Sequence, residues 1–211
     1  MGQMRVEGGE PERNLERATR MIQRARKEDC AIVVLPECLD LGWTHPAARL
    51  LAEPIPGRYS VPLCEAARAA NMYVVAGLTE RKGERLYNAA VLISPEGEIL
   101  RKHRKINELA FARELYATGA SLAVSKTPLG TIAINICADN FPDSLTLGHS
   151  LGRMGARLLL SPCAWAVEAD HDNSQDPYGQ MWRESYTALA KQYGMTVVGV
   201  SNVGWMTGGP W

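Results

Sequence analysis

No apolar run in this chain approaches the ~20 residues needed to cross a bilayer, and the residues after Met1 lack the apolar core of a secretory leader. Neither a membrane partner nor an export route is therefore expected. An excess of either charge is also missing: 23 basic and 23 acidic residues leave a formal net charge of zero. That balance argues against an electrostatically driven nucleic-acid partner. Five cysteines, Cys30, Cys38, Cys64, Cys137 and Cys163, make an odd set with no CxxC pair. A disulfide framework and a structural zinc site are both disfavoured, and a reducing, cytoplasmic setting is the default. Internal repeats and low-complexity tracts are absent too.

What remains is an ordinary globular composition, 46% hydrophobic and 22% charged, over 211 residues, enough for one domain with a sizeable core. Glu12–Lys27 carries Leu15, Ala18, Met21, Ile22 and Ala25 on one helical face. Ala31–Leu35 is a continuous apolar run, the pattern of a strand covered on both faces, and it stops at Pro36-Glu37. Val61–Ala70 predicts a second helix, Met72–Leu78 a strand, and the turns at 81–84 and 95–98 lead into strands Leu86–Ser94 and Ile99–His103. The basic cluster 101–105 is short and lacks interleaved aromatics, so it does not make a nucleic-acid site. Asn107–Thr118 reads either as a helical turn or as a packed loop. Leu122–Lys126 and Thr131–Ile136 form a hairpin, Ser144–Met154 a helix, Arg157–Ser161 a strand, Tyr178–Tyr193 an amphipathic helix, and Met195–Val200 a last strand. Strands alternating with helices around a hairpin section imply one α/β domain, residues 1–211, with a mixed sheet. The opening residues and the close at Gly208-Gly209-Pro210-Trp211 read as a fragment without its first strand and some C-terminal strands.

The segment Gly130–Asp143 is the chemically suggestive one. A β-type run ends at Cys137, and Pro142 and Asp143 suit the first turn of a following helix. A thiol at such an elbow is exposed beside backbone N–H groups. Glu37 and Lys105 likewise follow buried strands, whose C-terminal ends are where reacting groups converge in an α/β sheet. A thiol with an ordinary pKa near ~8.5 needs a base to become a nucleophile at neutral pH. A partly desolvated carboxylate supplies one, and an ammonium stabilises both the thiolate and a tetrahedral oxyanion. Glu37, Lys105 and Cys137 are thus sufficient for thiol-mediated acyl transfer. A solvated Glu37 and an ordinary buried Cys137 are the plain alternatives.

Three blocks in order make the sequence similar to carbon–nitrogen hydrolases of the nitrilase superfamily. Val33-Val34-Leu35-Pro36-Glu37 resembles the first catalytic block. The stretch from Tyr87 through Gly97 to Arg104-Lys105-Ile106 resembles the lysine block, and Gly130–Asp139 the cysteine block. Leu158–Trp165 and Ser201-Asn202 match flanking segments. The resemblance implies an α-β-β-α sandwich with mixed sheets, homodimers or larger assemblies, and hydrolysis of a non-peptide C–N bond in a small amide, N-carbamoyl amine or nitrile. It implies Glu37 as general base, Cys137 as nucleophile, and Lys105 with the Ala138 backbone N–H as oxyanion stabilisers, and it implies no metal and no organic cofactor. For the second, substrate-positioning glutamate of many members, Glu114 fits best and Glu108 is the alternative. After the cysteine the chain reads Cys-Ala-Asp-Asn-Phe-Pro-Asp, one residue shorter than the common pattern and without its arginine. Pocket shape and substrate choice are therefore not transferable.

Trp43, Trp165, His171, Tyr178 and Trp182 are candidate pocket walls, with Trp182 better suited to the core. A Cys–His enzyme pairing Cys137 with His149 or His171 is a second chemistry, but it leaves Glu37 and Lys105 without a role. Two further readings stand beside hydrolysis: an acyltransferase on the same scaffold, and a truncated or scaffold protein without activity.

Overall fold

A computed structural model describes residues 1–206. Eight strands form two four-stranded sheets, each mixed, with orders β1-β2-β3-β4 and β5-β6-β7-β8. The first sheet is built from β1 (Ile32–Val34), β2 (Tyr73–Lys82), β3 (Arg85–Ile93) and β4 (Ile99–Arg104). The second is built from β5 (Val124–Thr127), β6 (Gly130–Ile134), β7 (Leu158–Cys163) and β8 (Thr196–Ser201).

The period-2 alternation of side chains sorts each sheet into two faces. Val34, Val75, Ala90 and Leu92 turn inward and meet Ile132, Ile134, Leu160 and Val200 from the other sheet in one core. Their neighbours Val33, Leu35, Ala76, Ala89 and Val91 turn outward into a second core. There they are covered by α1 (Pro11–Lys27) and α3 (Ser60–Ala70). On the far side, Ala133 and Leu159 are covered by Leu151 of α4 (Leu145–Arg153) and Leu189 of α5 (Gln180–Tyr193). Four layers result, α-β-β-α, as expected, and both faces of the sheets are apolar because both are covered. Ile22, in the middle of the α1 stripe, is fully buried, which stabilises this layer by roughly 1.5–3 kcal/mol.

Two details differ from the sequence expectation, and a third resolves an alternative left open. A short helix, α2 (Ala48–Leu51), occupies a stretch with no clear apolar period. Residues 107–118 resolve as a 3-10 turn at Ala110–Glu114. No α-helix starts at Pro142: Cys137–Asn140 and Pro142–Ser144 form two 3-10 turns, and α4 begins at Leu145. The reason is local, since the Asp139 carboxylate draws the turn back onto the Ile136 N–H. Near the start, the chain makes an isolated bridge, Arg5 with Val203, rather than a strand. The segment Gly208–Trp211, read above as a broken-off loop, lies outside the described residues.

Candidate active site

Four strand ends converge between the two sheets. Glu37 follows β1, and its backbone N–H donates to the Cys163 carbonyl at the end of β7 (3.1 Å). The Pro36–Leu39 segment runs against β2, with Gly77 N–H donating to Pro36 and Leu39 N–H to Gly77. A Cβ at residue 77 would stand 2.5 Å from the Glu37 Cα, so only glycine lets the two backbones close. Antiparallel pairing of β3 with β4 carries on past Ala89–Arg104, and Lys105 N–H donates to Asn88 (2.8 Å). Register alone thus sets Lys105 beside Asn88.

The Lys105 ammonium donates to Glu37 Oε1 at 2.8 Å, and Asn88 Nδ2 donates to the same oxygen at 2.6 Å. All three side chains are buried. Two donors on Oε1 leave Glu37 Oε2 without a hydrogen-bond partner, so the carboxylate presents one free oxygen. A buried charge of this kind persists only when paired and hydrogen-bonded. Burial opposes the charge of Lys105, but Glu37, with Cys137 and Glu108, outweighs it and drives the ammonium's pKa well above its ordinary value. Its proton therefore stays in place at any working pH.

Cys137 opens the 3-10 turn after β6 with φ of 44°, in the left-handed region. A non-glycine residue there costs on the order of 1–3 kcal/mol and is held by its surroundings. Here the holding groups are visible. Cys137 N–H donates to Ser161 Oγ (3.2 Å), and Asn140 Nδ2 donates to the same hydroxyl (3.0 Å). Asp139 binds the turn to the lysine loop: its carboxylate accepts from the N–H groups of Ile136, Ile106 and Asn107 and pairs with His103 Nε2 at 2.8 Å. Burial works against that charge, but His103 and the backbone donors prevail and hold the carboxyl below its ordinary range. The Cys137 thiol is pushed well above its usual pKa by burial, by the neighbouring Cys163 thiol and by Glu37, with Lys105 pulling the other way. It rests as a thiol, in the field of a carboxylate and an ammonium.

Glu108 is buried with an oxygen 3.9 Å from Lys105 Nζ, and neither of its oxygens has a hydrogen-bond partner. Burial, then Glu37 and Asp139, raise its pKa to about 8 against the pull of Lys105. Glu114 is exposed, and its carbonyl accepts from Arg49. The carboxylate beside Lys105 is thus Glu108 rather than Glu114, because the 3-10 turn carries residue 114 outward while residue 108 stays under the loop. Ala138 is buried in the turn immediately after Cys137. The Trp43 ring lies 5.4 Å from Lys105 Nζ. Trp165 stacks on Trp182, centroids 4.7 Å apart. A small cavity beside Glu37 touches Trp43, Ala164, Asn202 and Met206; the last two also line a wider cleft of about 370 Å³ that opens past Trp165. His149 bonds Tyr193 in the outer helical layer, and His171 packs edge-on to Tyr178 in the loop after β7.

Asn88, Asp139 and Ser161 are the site groups that residue-by-residue reading passed over. Asn88 did leave a signal, a lone amide in the apolar run Leu86–Ile93. Among the described residues no group of three or more His, Cys, Asp and Glu is arranged to hold a metal ion, and no helix is long and apolar enough to cross a membrane.

A family model for carbon-nitrogen hydrolase matches residues 1–211. A nitrilase from Pyrococcus abyssi is 33% identical over 160 residues, covering 72% of this chain and 59% of that protein. The omega-amidase NIT2 of Bos taurus is 32% identical over 163 residues, 72% of this chain and 58% of its own. The chain therefore spans less than two thirds of the length of these relatives. Among solved structures, Saccharomyces cerevisiae Nit3, of the nitrilase superfamily, superposes with a TM-score of 0.81 at 23% identity, covering 96% of this chain and 73% of that one. A mutant amidase from Nesterenkonia sp. AN1, with the acetamide moiety of fluoroacetamide on its active-site cysteine, superposes with a TM-score of 0.80 at 19% identity over 98% and 76% of the two chains.

Proposed function

This chain belongs to the carbon–nitrogen hydrolase family, and from that premise we propose that it hydrolyses a non-peptide C–N bond through a thioester on Cys137. The observation that carries the reading is the buried Glu37–Lys105 pair, with one carboxylate oxygen unoccupied, whose two charges both act on a thiol at a strained elbow. Glu37 Oε2 takes the Cys137 proton as sulfur attacks the substrate carbon. Lys105 Nζ and the Ala138 N–H stabilise the oxyanion. Glu37 returns the proton to the leaving amine, then deprotonates the water that cleaves the thioester. With its pKa of about 8, Glu108 is neutral at pH 7 and donates a hydrogen bond to the substrate. Trp43 and Trp165 flank the approach. Amides, N-carbamoyl amines and nitriles share this chemistry, and the name of the omega-amidase relative supports small amides as the first substrates to assay.

Intact-mass analysis with small amides tests the scheme: an acyl adduct forms on the chain and is absent in Cys137→Ala, whose turnover falls by at least about 10³-fold. An active Cys137→Ala ends the proposal. Adding amines as competing nucleophiles separates hydrolysis from acyl transfer to an amine. The same reading includes assembly as a homodimer or larger homo-oligomer, checked by light scattering, and a reducing, cytoplasmic setting, which suits five free cysteines.

A further inference from the structure

Cys163 is a second buried thiol that the hydrolytic scheme does not use. Parallel pairing of β6 with β7 runs to Ile134 opposite Leu160. Three residues further on, Cys163 closes β7 and Cys137 opens the turn that leaves β6, so the two residues follow one paired position on adjacent strands. The paired strands from which both residues emerge are ≈ 4.7–4.9 Å apart, and a disulfide spans a Cα separation of 4.4–6.8 Å. A shared partner confirms the approach: Ser161 Oγ accepts from Cys137 N–H at 3.2 Å and lies 3.4 Å from Cys163 Sγ. The two thiols also share one core cluster. They differ in access, Cys137 being 7% exposed and Cys163 fully buried.

We propose that Cys163 is a resolving cysteine, and that hydrogen peroxide or another small peroxide converts Cys137 and Cys163 into a reversible disulfide. The effect on turnover rests on Cys137 being the nucleophile; the cross-link itself does not. In the first step the Cys137 thiolate attacks one peroxide oxygen, the O–O bond breaks, and Cys137 becomes a sulfenic acid with hydroxide leaving as water. In the second, the Cys163 sulfur attacks the Cys137 sulfur, the S–O bond breaks, and a second water departs. Two thiols and one peroxide give one disulfide and two waters. The charges of Glu37 and Lys105 both act on Cys137, the first suited to take its proton and the second to steady its thiolate. Once the bond forms, neither sulfur can attack a substrate, and a thiol reductant restores both. Without Cys163 the sulfenic acid would advance to sulfinic and sulfonic acids, which such reductants do not reverse.

The test is a non-reducing peptide map of the full chain after brief exposure to hydrogen peroxide and alkylation of remaining thiols. The expected result is a Cys137–Cys163 cross-link with the intact mass lower by two hydrogens, and amide turnover that is lost with peroxide and returned by dithiothreitol. In Cys163→Ala, and separately in Cys163→Ser, peroxide should leave Cys137 carrying two or three oxygens, with turnover that dithiothreitol does not return. Wild-type chain with over-oxidised Cys137 and an alkylated Cys163, or with Cys137 joined to Cys38, overturns the proposal. The wild-type map decides without any variant. If it shows the cross-link while the untreated chain turns over no amide, hydrolysis fails and the disulfide stands.

Discussion

Replacing Asp139 by Asn keeps the shape of the buried side chain and removes its charge. Oδ1 accepts from the Ile106 and Asn107 N–H groups, and Oδ2 accepts from Ile136 N–H and pairs with His103 Nε2. An amide can accept on one side only. If its NH2 takes the Oδ2 position, His103 can switch tautomer and accept, but the Ile136 N–H then faces another donor. At least one charge-assisted bond is lost and a buried donor is left unpaired, a cost of about 2–4 kcal/mol in a domain whose total stability is of order 5–15 kcal/mol. The bonds disturbed are those of Oδ2, which tie the residue just before Cys137, Ile136, and the end of the strand leading to Lys105, at His103, to one carboxylate. Displacement there by ~1 Å should lower kcat about 10²-fold, with KM changed much less. Urea unfolding followed by circular dichroism, and amide turnover, measure the two effects.

The pH dependence gives a sharper check. The Asp139 carboxyl is held below its ordinary range in the fold, so its contribution is present above the unfolded pKa of ~3.9 and disappears as pH falls through the folded one. The stability gap between wild type and Asp139→Asn should therefore be full at pH 7 and shrink below about pH 4. A gap under ~0.5 kcal/mol at pH 7, within the scatter of ordinary surface substitutions, refutes the hub reasoning. So does a gap that stays constant into acid.

Gly77→Ala should destabilise by roughly 1–3 kcal/mol and impair turnover, because the new Cβ meets the Glu37 Cα, the Pro36 oxygen and the Cys38 nitrogen within 2.9 Å; an unchanged urea midpoint would show that the backbones can part freely. Glu108, with its pKa raised to about 8, should produce a falling limb in kcat/KM near that pH as its ionisation adds a negative charge beside Lys105. In Glu108→Gln that limb should vanish, and a limb left in place would assign it to another group. Folding free energy should also decline from pH 5 toward pH 8 in part through Glu108, since a carboxyl with a raised folded pKa contributes stability at low pH that is lost as pH rises through it; the same variant should flatten that slope in urea titrations.

Sequence by itself determined most of the local elements and singled out three candidate reacting groups, Glu37, Lys105 and Cys137. The apolar run before Glu37 and the stripe on α1 could be read because strand and helix burial impose fixed periods on neighbouring residues. Cys137 and Lys105 stood out because each breaks such a pattern at its end. Tertiary structure decided what depends on partners distant along the chain. Glu108 and Glu114 are equally polar on paper, and only the fold of the intervening turn buries one and exposes the other. Asn88 meets Glu37 across 51 positions, and Asp139 meets the lysine loop across more than 30. Cys163 becomes a neighbour of Cys137 only once β6 and β7 pair in register. Periodicity records which face of an element is covered; it carries no information about which polar group on another element completes a buried hydrogen bond, and at this site those bonds set the geometry.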